Sequence, residues 1–300
     1  LDSSLAPDLC YGSKRQHDAG EFLQWLLNIL LDEHNMRRDR TESGPIDNIN
    51  PEKNVSRLMA CRKIYEEGLQ FYDSPLLRML GVQTLSESTC YYCKFTTRNS
   101  EPIANTVQLG IPPGAKQVSL AMLLDELQKE TTHSVDCDHC GRTTAKKQDP
   151  LKVVRSKYSY LPEYLMIEVK RSQFNASGGA SGGFKLDTPV SFPQVLDMSP
   201  WTWLNESHRA EDNFAGHVME EQKPPFIYDC YAVIQHKGSN ESGHYWTVVR
   251  RIDPHDNWTD EWHEFNDSMV KPGKTFTDTQ GKTTTAIFYR RRPNPARPGL

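Results

Sequence analysis

The chain has 300 residues, 37% apolar and 25% charged, enough to build a sizeable core and too apolar for gross disorder. Its net charge of −4 argues against a general phosphate-backbone binder, which needs a surplus of Lys and Arg. The strongest apolar run, Trp25 to Leu31, is broken by Asn28 and is far too short to span a bilayer.

In chain order, the first strong element starts at Asp18. Phe22, Trp25, Leu26, Ile29 and Leu30 follow helical spacing, Leu23, Leu27 and Leu31 widen the stripe, and Asp18 with Glu21 makes a capping-box-like start. So broad a stripe predicts a helix buried between other elements. Residues 36–53 read as a polar loop, and residues 58–80 as helix followed by a turn at Asp73-Ser74-Pro75. Strands are expected within residues 84–113, and a second amphipathic helix at Leu120, Leu123, Leu124 and Leu127 with Ser119 as cap. Further strands are expected at 152–158 and 164–170, and residues 175–183, rich in Gly and Ser, read as a flexible hairpin tip. Residues 197–223 read as a loop or insertion despite Trp201 and Trp203. The last third carries the densest strand signal, at 228–235, 244–251, 261–265 and 284–290, before a Pro-rich tail expected to be disordered. Helices early and an antiparallel sheet late predict an α+β fold.

Four of the seven cysteines form two C-x-x-C pairs, Cys90/Cys93 and Cys137/Cys140. Two such knuckles suit tetrahedral thiolate ligation of one zinc ion; two redox motifs or four buried thiols are the alternatives. The intervening residues 94–136 are longer than in a compact ribbon, so a hairpin or helix is expected between the knuckles. His139 is expected outside the ligand set. A zinc site implies a reducing compartment, cytoplasmic or nuclear, in which the Asn175-Ala176-Ser177 sequon has no meaning.

Residues 244 and 266 are equidistant from position 255. If His244 opens one strand and Asn266 closes the next, an antiparallel hairpin sets them across from each other. A histidine faced by a carboxamide is the base-and-orienter half of a nucleophilic protease site; Asp267 shares that role or holds the turn. Gly243 lets backbone approach a substrate closely.

Several segments also resemble one family. Gln16-His17-Asp18-Ala19-Gly20-Glu21-Phe22-Leu23 resembles the Q-box of the ubiquitin-specific proteases. Ser242-Gly243-His244-Tyr245 resembles their histidine box, and Trp262-His263-Glu264-Phe265-Asn266-Asp267 their Trp-x-x-Phe-Asn/Asp-Asp segment. Leu161-Pro162 through Lys170-Arg171 is similar to a palm strand, Ala286–Arg290 to the closing strand, and the C-x-x-C pairs to the finger subdomain. The resemblance implies a papain-like cysteine protease architecture: a thumb over 1–83, zinc-tied fingers over 84–160, a palm over 161–290 and a tail over 291–300. It also implies hydrolysis of the (iso)peptide bond after the terminal glycine of ubiquitin. His244, Asn266 and Asp267 would be catalytic, Gln16, Asp18, Gly243 and Tyr245 would meet substrate, and Cys90, Cys93, Cys137 and Cys140 would hold structural zinc. The implied partners are ubiquitin and ubiquitinated proteins, not nucleic acid or membrane.

The chain departs from the family pattern in one serious respect. The family's Gly-Asn-Thr-Cys-Tyr nucleophile box has no counterpart, and Cys10-Tyr11 lacks both a preceding Asn and a following apolar stripe. Because Leu1 is not an initiator Met, the box is expected upstream, leaving this chain inactive alone. The alternative is a catalytically dead ubiquitin-binding or scaffold module. Smaller departures are Gly20 where His is frequent, and Ser172 where Phe is usual.

Overall fold

The computed structural model describes residues 18–37, 57–101, 103–141, 151–173, 183–205, 222–240, 242–255 and 257–293. Helix α1 (Ala19–Glu33) starts where Asp18, itself extended, folds its carboxylate back: Oδ1 accepts from the backbone N–H of Gly20 at 2.8 Å and of Glu21 at 3.1 Å. Among the described residues, though, only Leu31 of α1 is buried, so the expectation of a helix buried between other elements is not met. Its partners lie along one flank, through Gln24 to Thr106 and Asn28 to Asn105, and Phe22 faces outward.

Helices α2 (Arg57–Phe71) and α3 (Pro75–Leu80) follow, the second begun by Pro75 in its first turn. Next come β1 (Gln83–Cys90), β2 (Thr96–Ser100), β3 (Val107–Gly110), β4 (Val118–Ser119), α4 (Leu120–Leu127) and β5 (Thr131–His133). The Ser119 hydroxyl caps α4 as expected, accepting from Met122 N–H at 3.2 Å. Then come β6 (Lys152–Tyr160), β7 (Tyr164–Lys170), β8 (Ser172–Gln173), β9 (Phe184–Lys185), β10 (Val190–Ser191) and β11 (Val195–Asp197). The run closes with β12 (Ile227–Gly238), β13 (Gly243–Ile252), β14 (Trp258–Asn266), β15 (Met269–Lys274) and β16 (Thr284–Arg291).

The main sheet runs β15-β14-β13-β12-β16-β7-β3, with β11 paired to β12. Its pairings are antiparallel except β3 with β7. Strand β7 is buried at five consecutive positions, Leu165 to Val169, the signature of a strand covered on both faces. A smaller sheet, β2-β1-β6-β5, projects from the core. Its central strands β1 and β6 pair from Gln83↔Tyr160 beside the core out to Cys90↔Lys152.

Residues 94–136 do more than bridge two knuckles. Val107 and Leu109 alternate into the core, which carries β3 onto the main sheet, and α4 buries Leu120, Leu123 and Leu124. Residues 198–205 also differ from the loop expected. Two short 3₁₀ turns bury Trp201 and Trp203, whose indole N–H groups donate to Asp125 and to the Leu85 carbonyl, each at 2.8 Å. An indole with a hydrogen-bond partner for its one donor is readily accommodated in a core, whatever the polarity of its sequence neighbours. The Gly- and Ser-rich tip lies outside the described residues apart from Gly183, but β8 and β9, on either side of it, pair antiparallel. Strand β16 runs to Arg291, and Arg292 grips Asp229 with two hydrogen bonds of 2.7 and 2.8 Å.

Candidate functional site

Strand pairing brings His244 and Asn266 together by a route different from the simple hairpin. Ile252↔Trp258 has the register centred on position 255, but Arg250↔Trp262 and every later pair to Thr247↔Phe265 is centred on 256. Two extra residues are accommodated in β14 at this irregularity. A slip of one residue would have turned Asn266 to the opposite face of the sheet; a slip of two keeps its face and makes it the diagonal neighbour of His244. The expectation of directly opposed residues is therefore corrected, and the contact persists: His244 Nε2 lies 2.7 Å from Asn266 Oδ1. The carboxamide oxygen only accepts, so Nε2 carries a proton, and in the neutral ring Nδ1 keeps its lone pair. Trp246 stacks near the imidazole, with ring centroids 6.4 Å apart.

Asp267 occupies the two-residue turn between Asn266 and Met269, with φ 53°. A positive φ at the first turn residue is what the hairpin geometries compatible with strand twist require. Its Oδ2 is 3.9 Å from His244 Nε2, beyond hydrogen-bond range, and its side chain is 79% exposed.

Tyr245 points the other way and donates its hydroxyl to Asp18 Oδ2 at 3.0 Å. Asp18 thus caps α1 with one oxygen and holds β13 with the other. Burial, and then the Asp18 charge, push the Tyr245 phenol above its ordinary range. The Tyr245 ring stacks on His236 at 4.2 Å. His236 Nδ1 accepts from Lys185 Nζ at 2.8 Å; burial and this cation hold the imidazole below its ordinary pKa, so it is neutral. Gly243 lies against the same ring: a Cβ there would collide with His236 Nε2 and stand 2.6 Å from the Lys237 carbonyl. The close approach expected of Gly243 is thus made to a neighbouring side chain of the chain itself. Gln16 and Cys10 lie outside the described residues.

On the His244 face of the sheet a cleft of about 490 Å³ opens, lined by Gln235, Lys237, His244, Trp246, Val248, Glu264, Asn266, Lys274 and Asp278. Glu264 and Lys274 pair at 2.9 Å beneath Asn266. Sequence reasoning passed over both; the signal available was that Glu264 stands two residues before Asn266, on the same face of a strand. Cys61 and Cys230 supply no thiolate to this cleft. Burial pushes Cys61 up to about 12 and Cys230 higher still.

The four knuckle sulfurs form a separate cluster, all within 4.8 Å of one another. Both knuckles fold alike. Lys94 N–H donates to Cys90 O at 3.1 Å and Gly141 N–H to Cys137 O at 2.8 Å, and residues 94 and 141 both have positive φ, 60° and 64°. Cys90 and Cys140 Sγ are 4.0 Å apart, Cys93 and Cys137 Sγ 3.8 Å. Four thiolates at about 2.3 Å from a tetrahedral ion would stand about 3.8 Å apart, so the donor set fits zinc. Backbone N–H groups of Cys93 and Tyr92 draw the Cys90 thiol down to about 6. Cys93 stays up at about 11 despite the Phe95 N–H, held there by burial and the three other thiols. Thiolate ligands gathered this closely are held together by the cation they bind. His139 is not among them; its ring stacks on Phe95 at 4.1 Å.

No helix among the described residues is long and apolar enough to cross a membrane. The sequence profile of the ubiquitin carboxyl-terminal hydrolase family matches residues 3–289. Ubiquitin carboxyl-terminal hydrolase 2 of Rattus norvegicus is 28% identical over 291 residues, covering 94% of this chain and 40% of that protein. Ubiquitin carboxyl-terminal hydrolase 5 of Saccharomyces cerevisiae is 27% identical over 288 residues, covering 94% of this chain and 33% of that protein. The chain thus spans well under half the length of these relatives. Among solved structures, a SAGA Ubp8/Sgf11/Sus1/Sgf73 DUB module bound to ubiquitin aldehyde superposes with a TM-score of 0.63 at 19% identity, covering 96% of this chain and 52% of the other. That likeness establishes the fold, and the profile match over nearly the whole chain establishes descent: this protein belongs to the ubiquitin carboxyl-terminal hydrolase family, with the fold of a ubiquitin-specific protease domain.

Proposed function

We propose that the chain forms the bulk of a deubiquitinating cysteine protease that hydrolyses the (iso)peptide bond after the terminal glycine of ubiquitin. The observation that carries this reading is the 2.7 Å contact of His244 Nε2 with Asn266 Oδ1 at the edge of an open cleft. It leaves Nδ1 as a base and rests on motifs that occur in the family's order.

In this mechanism Nδ1 takes the proton of a cysteine thiol contributed from upstream of Leu1, and the thiolate attacks the glycine carbonyl. The imidazolium, held by Asn266, gives that proton to the departing amine as the C–N bond breaks. Water, deprotonated by the same nitrogen, then hydrolyses the thioester and frees the cysteine. Asp267 holds the turn that presents Asn266. Asp18 and Tyr245 join α1 to β13 where the tail of ubiquitin would pass, with Gly243 beside them; Gln16 is proposed to meet the same tail. Residues 1–83 act as thumb, 84–160 as fingers tied by one zinc ion on Cys90, Cys93, Cys137 and Cys140, apart from β3 and α4, which join the main sheet and the core, and 161–290 as palm. Six free thiols among the described residues suit a reducing compartment, cytoplasm or nucleus.

An electrophilic ubiquitin probe, applied to this chain and to an N-terminally extended form, tests the reading. Labelling of the extended form is expected, and labelling of neither, with both folded, would defeat it. A second reading, an inactive ubiquitin-binding module, is favoured by the absence of a reactive thiol beside His244 among the described residues. Ubiquitin binding by an extended chain whose upstream sequence encodes no Gly-x-x-Cys-Tyr box would establish it.

A further inference from the structure

We propose that Glu264 is a positioning residue: its carboxylate fixes the orientation of the Asn266 amide and through it the proton on His244. The inference rests on the reading of His244 as base, and the geometry that supports it is a chain of four side chains with one possible direction. Lys274 Nζ donates to Glu264 Oε2 at 2.9 Å, Asn266 Nδ2 donates to Glu264 Oε1 at 3.4 Å, and Asn266 Oδ1 faces His244 Nε2 at 2.7 Å.

An asparagine amide can rotate by half a turn and exchange its oxygen and nitrogen at little cost unless a neighbour forbids it. An ionised carboxylate forbids it, because it only accepts. Glu264 is 9% exposed, and its carboxyl lies below the ordinary range: the Lys274 ammonium outweighs the opposing effect of burial, and the Asn266 amide and Lys271 contribute further. With Nδ2 committed to Glu264, the Oδ1 lone pairs are the only atoms presented to the imidazole. Nε2 must then donate, and in the neutral ring Nδ1 is the unprotonated nitrogen. The negative charge also polarises the amide, so a formally neutral orienter stabilises an imidazolium better than an isolated asparagine would.

The same arrangement explains why residue 266 is neutral. A carboxylate there would stand against the Glu264 carboxylate in a half-buried cleft, where two like charges repel. Local sequence builds the pair. Trp262 pairs with Lys274 but Glu264 with Lys271, so β15 holds one extra residue between them. Gly273 sits in that bulge at φ +81°, a conformation that costs glycine little. The bulge turns Lys274 onto Glu264.

Nitrogen spectra of the His244 ring across pH test this on the intact chain and need neither nucleophile nor substrate. The native chain should show a single neutral tautomer protonated at Nε2. In Glu264→Gln, whose amide donates as well as accepts, the Nδ1-protonated tautomer should appear and the pH at which the ring gains its second proton should fall. The other charged or titratable groups around the ring, Asp267, Lys237 and His236, are unaltered in that variant. Adding Asn266→Asp to Glu264→Gln should restore the single tautomer, a rescue that a purely structural role would not produce. An unchanged tautomer and midpoint in Glu264→Gln would overturn the proposal. So would an equal change when Glu264→Gln is made in an Asn266→Ala background, since that effect would bypass the amide. Glu264→Met replaces the Gln variant if that does not fold, and a dominant Nδ1-protonated tautomer in the native chain refutes the idea with no variant at all. Failure of the ubiquitin probe would remove the hydrolase reading while leaving these spectra as they are, so the two can fail separately.

Discussion

The hydroxyl of Tyr245 meets the carboxylate of Asp18 at 3.0 Å, across 227 residues of chain. This bond joins the first turn of α1 to the strand that carries His244, so the helical part and the sheet share one anchoring carboxylate. Tyr245→Phe should lower stability by about 1 kcal/mol, the net worth of one hydrogen bond. Asp18→Ala, which also removes the cap, should lower it by about 2 kcal/mol. Urea unfolding of the two variants and the double mutant checks this. Additive losses would show that the two residues are not coupled.

Metal analysis should find about one zinc ion per chain, and Cys90→Ser or Cys137→Ser should deplete it, because two knuckles complete one tetrahedral site. Hydrogen exchange after chelation should rise in β1, β2, β5 and β6 well before it rises in β12, β13 and β16. Protection lost evenly across both sheets would count against a local role for the metal.

Gly243→Ala should act on His244 from a distance of one residue. The added methyl meets the His236 ring and the Lys237 carbonyl, so β13 must shift or His236 must leave Tyr245. A loss of about 1–3 kcal/mol is expected from such overpacking. His236→Ala in the same chain should recover only the part due to the ring, since the clash with the Lys237 carbonyl remains, and thermal melts of the pair measure how much.

Glu87 gives the fold a dependence on acid. Burial alone would raise its pKa, but hydrogen bonds from Arg57 and Arg98 prevail and lower it. A carboxyl depressed in the folded state stabilises it fully above the ordinary carboxylate pKa, and that contribution is lost as pH falls through the folded value. The stability of Glu87→Gln should therefore fall less steeply between neutral and acid pH than that of the native chain. Parallel pH curves would rule the mechanism out.

Trp203→Ala should be among the costliest single changes, about 3–5 kcal/mol, since it opens a cavity and leaves the Leu85 carbonyl without its donor. It also removes the ring over which the Arg57 guanidinium sits at 4.2 Å. Equilibrium unfolding gives the value directly.

Much of this was legible in the sequence where one local rule sufficed. Asp18 before an apolar helical stripe predicted the α1 cap, Ser119 that of α4, and the paired C-x-x-C spacings predicted a four-sulfur cluster. The His244–Asn266 pair was foreseen with the wrong register, because the irregularity in β14 depends on tertiary fit and leaves no mark in the alternation. The burial of Trp201 and Trp203 was missed because their neighbours are polar and their partners, Asp125 and Leu85, lie far away in sequence. Strand β15 was missed because Lys271-Pro272-Gly273-Lys274 reads as a turn; it is a bulged edge strand, where proline is tolerated.

Strands β1 and β6 pair at Gln83↔Tyr160, pass one irregularity between Gln83 and Thr84, and then run without a break from Thr84↔Tyr158, beside the buried tryptophans, to Cys90↔Lys152 at the knuckles. Such a ladder behaves as a cantilever whose root is clamped and whose free end carries the sulfur cluster. A protein gripped at that tip would load the whole ribbon as one stiff beam, and the torque would be delivered to Leu85 and Trp203 at its root.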